Sequence, residues 1–178
     1  MMVEDLFKIE DARPEDVVRI RSIIRDSWLK IYPNEDYGIK VEDIAAIDWF
    51  NNESLEVRRK EIIEKTGSVH IFVVKNDKKD VVAFCKVLKH DDCGEIDAIY
   101  IITEFQRKGI GQKLIQKAFE WLGPDLDIKL VVVKYNYSAI EFYKKFGFKE
   151  TTKKVIYDGT QLPSGKEIPR IEMVRLKN

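Results

Sequence analysis

Apolar residues recur along the chain with two different periods, and these periods predict the order of its helices and strands. A short strand over residues 6–9 comes first. Residues 13–16 then combine a proline with two acidic residues, which favours a helix start. Apolar residues follow at helical spacing as far as Pro33, so the first helix is amphipathic. A short helix over 41–50 and a longer, charged helix from Ser54 are expected next.

The following part of the chain has strand character, with alternating or continuous apolar runs separated by turns. The predicted elements are strands 69–76, 81–88 and 95–102, helix 106–123, strand 128–135, a helix from Asn136 to Gly147, and strands 148–157 and 169–176. The inner faces predicted for these two helices are Ile110, Leu114, Ile115, Ala118 and Leu122, and Ala139, Phe142, Tyr143 and Phe146. The complete order is β-α-α-α-β-β-β-α-β-α-β-β, which indicates an α+β fold with a mixed sheet.

Composition and charge exclude several classes of protein. The 178 residues contain no repeat or Gly/Ser linker, so we expect one domain spanning residues 1–178. Basic and acidic residues balance at 31 each, whereas a dedicated nucleic-acid-binding protein normally has a basic excess. No apolar run approaches the roughly 20 residues of a membrane span, and the acidic start does not resemble a signal peptide. We therefore expect a cytoplasmic protein that binds neither nucleic acid nor membranes.

Cysteine and histidine are too few for a disulfide framework or a metal site. Cys85 lies in an apolar run and Cys93 in a turn, and we expect both thiols to be reduced. His70 and His90 have no CxxC partner, so no zinc-binding spacing exists. The sequence predicts no bound metal.

The segment QRKGIG, residues 106–111, lies between a predicted strand and a predicted helix and is the most specific ligand-binding signal. Gly109 and Gly111 lack a Cβ, so their backbone amides can approach a ligand closely. A helix start also offers free N–H groups and a positive dipole end to a phosphate. An ordinary turn before a basic helix start is the alternative. The segment is neither a Walker A loop nor a dinucleotide fingerprint, because GK[ST] and the third glycine are missing.

Two segments resemble the GNAT superfamily, the acetyl-CoA-dependent N-acetyltransferases. IDAIYIITEFQRKGIGQKLI is similar to the family's central strand and its Q/R-x-x-G-x-G/A pyrophosphate loop. VVVKYNYSAIEFYKKFGF is similar to its N-x-x-A-x-x-x-Y helix, through Asn136, Ala139 and Tyr143. The first helix and the element order look most like the PaiA-type spermidine/spermine acetyltransferases. The resemblance implies the GNAT fold, a seven-stranded, mixed and mostly antiparallel sheet with helices on both faces.

The resemblance also implies acetyl-CoA as cosubstrate and places its contacts. The backbone of the predicted strand end would bind the pantetheine arm and the acetyl carbonyl, at Ile99, Tyr100 and Ile101. The pyrophosphate would lie on the amides of Arg107, Lys108, Gly109, Ile110, Gly111 and Gln112. Asn136 would contact the CoA arm together with Ser138. Asparagine is also a common helix N-cap, and Asn136 is able to fill both roles.

Tyr143 occupies the position where the family keeps its general acid. Acetyl transfer expels a thiolate whose conjugate acid has a pKa near 8.5, by analogy with cysteine, whereas a phenol has a pKa near 10. Tyr143 is therefore protonated at neutral pH and able to donate its proton to the departing sulfur. The alternative is that Tyr143 is only an aromatic residue on the inner helix face.

The amine acceptor needs a base, because a primary amine with a pKa near 10.4 is almost fully protonated at pH 7. Glu95 and Asp97 lie two residues apart on one predicted strand, so their side chains should share a face. Counting back from Gln106, Glu95 is at the position of the catalytic glutamate in histone-type relatives. Asp97 and a chain of ordered water are the alternatives, and both carboxylates are also explained as solubilising charges.

The acceptor is best predicted by residues 31–54, which contain six acidic residues and one lysine. In the implied fold this segment forms one wall of the acceptor cleft. An acidic wall with aromatic neighbours would attract a polyamine such as spermidine. The acidic residues are Glu35, Asp36, Glu42, Asp43, Asp48 and Glu53, and the aromatic ones are Trp28, Tyr32, Tyr37 and Trp49. A solvated acidic helix pair with aromatic residues in the core explains the same pattern.

Two other functions are compatible with the motifs. The acceptor could be a protein N-terminus or a lysine side chain, or the chain could be an acetyl-CoA-sensing regulator without efficient turnover. The second alternative predicts loss of loop or acid residues, and all of these are present. A homodimer is compatible with the sequence.

Overall fold

The computed structural model describes residues 7–64, 67–151, 155–157 and 161–177. Within these residues the helices are α1 (Val17–Ile31), α2 (Val41–Ala45), α3 (Asn52–Glu64), α4 (Ile110–Leu122) and α5 (Tyr137–Lys144). The strands are β1 (Phe7–Asp11), β2 (Val69–Asn76), β3 (Val81–Lys89), β4 (Cys93–Ile101), β5 (Asp127–Val133), β6 (Lys149–Glu150) and β7 (Arg170–Arg175). The element order is the predicted one.

The strands form one seven-stranded sheet in the order β1-β2-β3-β4-β5-β7-β6. All neighbours are antiparallel except β4 and β5, which are parallel. This arrangement confirms the predicted α+β fold with a mixed, mostly antiparallel sheet.

The parallel pairing of β4 and β5 is short. It begins with Cys93 opposite Asp127 and ends with Glu95 opposite Lys129. Beyond Glu95, β4 continues to pair with β3, while β5 continues to pair with β7. The two central strands therefore separate in the middle of the sheet and leave backbone groups of β4 free to bind a ligand.

Helices cover both faces of the sheet, as predicted. α4 and α5 pack on one face, around Leu114, Ile115 and Tyr143. α1, α2 and α3 pack on the other face, around Ile20 and Ile44. Because β3 supplies buried side chains to both cores, its sequence is a nearly continuous apolar run.

The inner face of α4 is the predicted one, and that of α5 is shifted. The buried residues of α4 are Ile110, Leu114, Ile115, Ala118 and Leu122. In α5, Tyr143 is buried together with Ile140, which was not predicted. Phe142 and Phe146 are only partly buried at the edge of the same core. The helix therefore faces the sheet through Ile140 and Tyr143, with its phenylalanines towards α4 and solvent.

Several boundaries differ from the predictions. α2 ends at Ala45 instead of residue 50, and α3 begins two residues before Ser54. β6 covers Lys149–Glu150, far less than the predicted strand 148–157; of the remainder, Ile156 forms an isolated bridge to Arg170. Residue 6 of the first predicted strand and residues 152–154 of this later one lie outside the described residues. No helix in the described part of the chain is long and apolar enough to cross a membrane.

Candidate active site

The candidate site lies where β4 leaves β5 and runs on towards α4. A register shift interrupts the β3–β4 ladder, where Lys86 pairs with Ala98 and Val87 pairs with Ile96. Asp97 is the extra residue of this bulge. Bulges bend a strand and re-aim its side chains. The predicted pantetheine-binding residues Ile99, Tyr100 and Ile101 follow the bulge, beyond the last β4–β5 pair.

The loop between β4 and α4 has the geometry of an anion cradle. Arg107 and Gly109 both have left-handed backbones, with φ of 59° and 80°. Alternation of left- and right-handed residues turns successive N–H groups towards one side, which makes a nest for an anion. The backbone N–H groups of residues 107–112 form no hydrogen bond with any described residue, and the first bond into α4 is Lys113 N to Gly109 O, 3.1 Å. Six consecutive amide donors are thus available at the start of a helix.

Gly109 and Gly111 are needed for different reasons. Gly109 is the N-cap of α4, and a Cβ there would meet open space, so its positive φ is what favours glycine. At Gly111 a Cβ would lie 3.2 Å from the Phe142 ring and 3.3 Å from Ile101 Cδ1. Gly111 therefore lets α4 approach both β4 and α5 closely, which brings the cradle next to the opening in the sheet.

Asn136 is the N-cap of α5, because its Oδ1 accepts a hydrogen bond from Ala139 N at 3.3 Å. The capping role considered for this residue is thus present. Asn136 follows the end of β5, on the far side of the opening from β4. Ser138 lies in the first turn of α5 and is exposed. Both residues border the opening from the β5 side.

Tyr143 is 8% exposed, and its ring packs edge-on against Phe148, with ring centroids 5.7 Å apart. Burial raises the pKa of the Tyr143 phenol, with smaller contributions from Cys85 and Tyr100. Cys85 pairs with Ile99 across β3 and β4, so the phenol lies over the strand segment predicted to hold the acetyl group. Its hydroxyl oxygen forms no hydrogen bond with a described residue. The oxygen is also not completely shielded from solvent. Tyr143 therefore has a free O–H at the opening.

The two candidate bases have separate partners. Glu95 Oε2 lies 2.8 Å from His90 Nε2 and 3.8 Å from Lys129 Nζ, beside the last paired residues of β4 and β5. Asp97 Oδ2 lies 3.3 Å from Lys86 Nζ, and its side chain is 37% exposed. The two carboxylates therefore share no cationic partner within the described ranges. Asp97, at the bulge, is the one next to the opening.

Lys86 was not singled out from the sequence. Its side chain is 11% exposed, and Nζ contacts Glu61 Oε1 at 3.1 Å as well as Asp97. Glu61 in turn pairs with Arg58 at 2.8 Å. The sequence signal for this residue is a lysine inside the apolar run VVAFCKVL. A buried lysine needs a carboxylate partner, so the run predicts a buried ion pair at this position.

An aromatic wall closes the opening on the face covered by α1. Trp28 Nε1 donates to Tyr100 Oη at 2.8 Å, and the hydroxyls of Tyr32 and Tyr100 are 3.2 Å apart. Tyr135 Oη donates to the Tyr32 carbonyl at 2.6 Å and stacks on Tyr37. Burial raises the pKa of Tyr32 and of Tyr100, and raises that of Tyr135 to about 12. These three phenols therefore stay neutral at physiological pH.

Charged groups border this wall. The Arg170 guanidinium lies 5.9 Å from the centroid of the Trp28 ring. Of the six acidic residues in segment 31–54, five are exposed and Asp43 is partly buried. Glu35 and Asp36 form a short 3-10 turn with Tyr37, beside Tyr135. This places two exposed carboxylates at the rim of the wall.

Neither cysteine has the character of a nucleophile. Burial raises the pKa of the Cys85 thiol far above its ordinary value, and it also raises that of Cys93. A thiol must be ionised to attack a thioester. Among the described residues, no three His, Cys, Asp or Glu side chains are grouped so as to hold a metal ion.

Comparison with known proteins identifies the family. The model of the Acetyltransferase (GNAT) family matches residues 19–148, more than half of the chain. The uncharacterised N-acetyltransferase YuaI of Bacillus subtilis is 30% identical over 120 residues, which cover 64% of this chain and 63% of YuaI. The aligned part thus spans less than two thirds of that relative. An uncharacterised N-acetyltransferase of Chlorobaculum tepidum is 27% identical over 148 residues, 76% of this chain and 92% of the relative.

Solved structures share the fold. The PaiA N-acetyltransferase of Thermoplasma acidophilum, in complex with coenzyme A, superposes with a TM-score of 0.71 at 20% identity, covering 95% of this chain and 98% of that one. The spermidine N-acetyltransferase of Vibrio cholerae, in complex with CoA and spermine, superposes with a TM-score of 0.68 at 17% identity. The superposition covers 97% of this chain and 96% of that one. The family predicted from the two sequence motifs is therefore confirmed. This chain belongs to the GNAT family of acetyltransferases.

Proposed function

We propose that this protein transfers the acetyl group of acetyl-CoA to a primary amine by direct attack, with a polyamine such as spermidine or spermine as acceptor. The observation that carries the proposal is the run of six free backbone amides, 107–112, at the start of α4. This cradle suits a pyrophosphate, and it lies at the end of the strand that leaves β5. CoA bound there by its pyrophosphate would reach along β4 towards Tyr143.

In this proposal the amine nitrogen attacks the thioester carbonyl, and free amides of β4 stabilise the oxyanion. The carbon–sulfur bond then breaks, and Tyr143 donates its hydroxyl proton to the leaving thiolate. Burial keeps Tyr143 protonated to higher pH than an ordinary phenol, so the donor is present throughout the physiological range. Direct attack is preferred to an acetyl-cysteine intermediate because both thiols have raised pKa values.

Asp97 is the better proposed base of the two carboxylates. It lies at the β4 bulge beside the opening, whereas Glu95 is held by His90 and Lys129 where the sheet is still paired. The Asp97 side chain is exposed enough to reach a ligand, and it pairs with the buried Lys86 ammonium. Asp97 would take the ammonium proton either directly or through one water molecule.

The polyamine part of the proposal is supported by the rim and the aromatic wall. Exposed Glu35 and Asp36 supply negative charge beside Tyr37 and Tyr135. Arg170 borders the wall, so we place the distal ammonium of the acceptor at the rim and its methylene chain along the rings. Two proteins of the same fold are named as PaiA and as a spermidine N-acetyltransferase, which agrees with this class of acceptor. Protein N-termini or lysines are the competing acceptors.

A thiol-release assay with acetyl-CoA and a panel of amines tests the function. Spermidine and spermine should release CoA with a higher kcat/KM than lysine peptides or N-terminal peptides, because a flexible polycation matches the acidic rim. Preference for peptides would replace the polyamine by a protein acceptor. Tight acetyl-CoA binding without turnover of any amine would contradict the enzyme and favour a sensor.

Gly109→Ala tests the anion cradle. A side chain at φ 80° costs roughly 1–2 kcal/mol or forces the loop to move, so we expect the KM for acetyl-CoA to rise about tenfold with a smaller change in kcat. Gly123→Ala is the control for backbone strain at the far end of α4, because Gly123, with φ 85° and ψ 170°, needs glycine at least as strictly and also has open space around its Cα. Equal effects of both substitutions on the KM would mean that the cradle does not bind the cosubstrate.

Tyr143→Phe removes the proposed proton donor while preserving the ring packing. We expect kcat to fall by roughly 10²–10⁴, the usual range for a general acid, with acetyl-CoA affinity unchanged by calorimetry. Because the pKa of Tyr143 is raised, its deprotonation should produce no loss of wild-type rate below about pH 10. Tyr157→Phe, at a 52% exposed tyrosine, serves as control. A large loss of cosubstrate affinity in Tyr143→Phe would reject the assignment.

Asp97→Asn and Glu95→Gln separate the two candidate bases. Asp97→Asn should lower kcat/KM for the amine by roughly 10²-fold near pH 7, and the loss should shrink at high pH as the free amine accumulates. Glu95→Gln should change the rate much less. The pH–rate profiles of both variants provide the measurement, and the reverse order would assign the base to Glu95.

A further inference from the structure

Lys166 joins three segments on the acceptor side of the molecule. Its Nζ donates to the Gly38 carbonyl at 2.6 Å and to Asp43 Oδ2 at 2.7 Å. The same Asp43 oxygen accepts from Lys40 N at 2.7 Å, and the Ser164 side chain also donates to this carboxylate. We call this cluster the clasp; its members are Gly38, Lys40, Asp43, Ser164 and Lys166. The clasp connects residues 161–169 to the start of α2 and to the turn that follows α1.

The turn held by the clasp is compact. Asn34 and Ile39 exchange backbone hydrogen bonds of 2.8 and 2.9 Å, and Gly38 closes the turn with φ 63°. Asn34 Oδ1 also accepts from Tyr37 N at 3.3 Å. Lys166 binds the carbonyl of Gly38, so it fixes this turn from outside. The turn carries Glu35 and Asp36, the exposed acids of the rim.

Contacts lead from the clasp to the opening in the sheet. Tyr37 stacks on Tyr135 with ring centroids 5.5 Å apart, and Tyr135 bonds to the Tyr32 carbonyl. The Tyr32 hydroxyl then meets that of Tyr100 on β4. On the other side of the clasp, Leu162 is buried in the same core as Tyr32. The clasp is thus one layer of side chains behind the aromatic wall.

The charges of Lys166 and Asp43 cancel each other. Hydrogen bonds from the Lys166 ammonium, then from Lys40 N and Ser164, lower the pKa of Asp43 to about 2. The clasp is therefore complete above the ordinary Asp pKa near 3.9 and is lost as the pH falls towards 2. At working pH, Asp43 neutralises Lys166. Without Asp43, an unpaired ammonium would remain beside the turn that carries Glu35 and Asp36.

On the basis of the proposed function, we propose that Lys166 and Asp43 are positioning residues for the amine acceptor. They hold the acidic turn against the aromatic wall, and their pairing keeps the Lys166 charge away from a cationic acceptor. They touch neither the cosubstrate cradle nor the proton donor. Their removal should therefore affect acceptor binding and leave acetyl-CoA binding unchanged.

Steady-state kinetics with spermidine and acetyl-CoA test the inference on Lys166→Met, Asp43→Asn, the double variant and Lys166→Arg. The amide introduced by Asp43→Asn keeps an acceptor for Lys40 N, so α2 retains its cap. The KM for the amine should rise roughly tenfold, with the KM for acetyl-CoA unchanged. Asp43→Asn should raise the KM for the amine more than Lys166→Met does, because it leaves the Lys166 ammonium without its carboxylate partner. The KM for the amine in the double variant should be no higher than in Asp43→Asn. Lys166→Arg should keep most of the wild-type affinity for the amine, because arginine retains the positive charge.

Two controls separate positioning from general loss of stability. Lys117→Met removes an exposed ion pair of 3.0 Å on α4 and should leave both KM values unchanged. Hydrogen exchange should speed up at Asn34 and Ile39 in the clasp variants and stay constant in β3 and β4. The inference would be overturned if the clasp variants left the KM for the amine unchanged or raised both KM values equally. It would also be overturned if the effects of the two single substitutions on the amine KM added up in the double variant. If the wild-type protein turns over no amine, the proposed function fails and this inference fails with it.

Discussion

The separation of β4 from β5 after Glu95 is the constraint on which the rest of this structure depends. A parallel pair that continued would satisfy the backbone of β4 on both sides and leave no place for a ligand in the sheet. Here β5 pairs onward with β7, and β4 keeps only β3. The cradle at residues 107–112, the phenol of Tyr143 and the aromatic wall all take their positions from this opening.

Two local features hold the opening in shape. Gly111 lets the start of α4 lie against Ile101 and Phe142, where a Cβ would be 3.2–3.3 Å from its neighbours. At the other end, Gly94 packs beneath Leu122, whose Cδ2 would be 2.9 Å from a Cβ. Glycines therefore allow close packing of α4 on β4 at both ends of the helix. This packing holds the N-terminal amides of α4 next to β4. The helix dipole acts on the site only because this packing is close.

Sequence patterns predicted the element order and the glycine-containing turn at the start of α4, because both depend on local chemistry. Alternation, helical spacing and the glycines at 109 and 111 are visible along the chain. The β4 bulge was not visible, since it depends on the register with β3, and it places Asp97 opposite Lys86. The same holds for Ile140 in α5, whose burial follows from the angle at which α5 meets the sheet. Pairing register and helix orientation are tertiary properties, and spacing alone does not contain them.

Charge counting along segment 31–54 predicted an acidic wall, and the fold divides that wall into parts with different roles. The charge of Asp43 is neutralised by Lys166, a partner more than a hundred residues away in sequence that no local pattern indicates. Glu35 and Asp36 remain exposed on the turn that this pair fixes. The attraction of a site for a cation depends on the carboxylates left without a partner and on how firmly they are held, because a paired carboxylate adds little field. Of the six acids counted along the sequence, Asp43 is therefore the one that the fold neutralises, while Glu35 and Asp36 stay exposed on the turn that this pair supports.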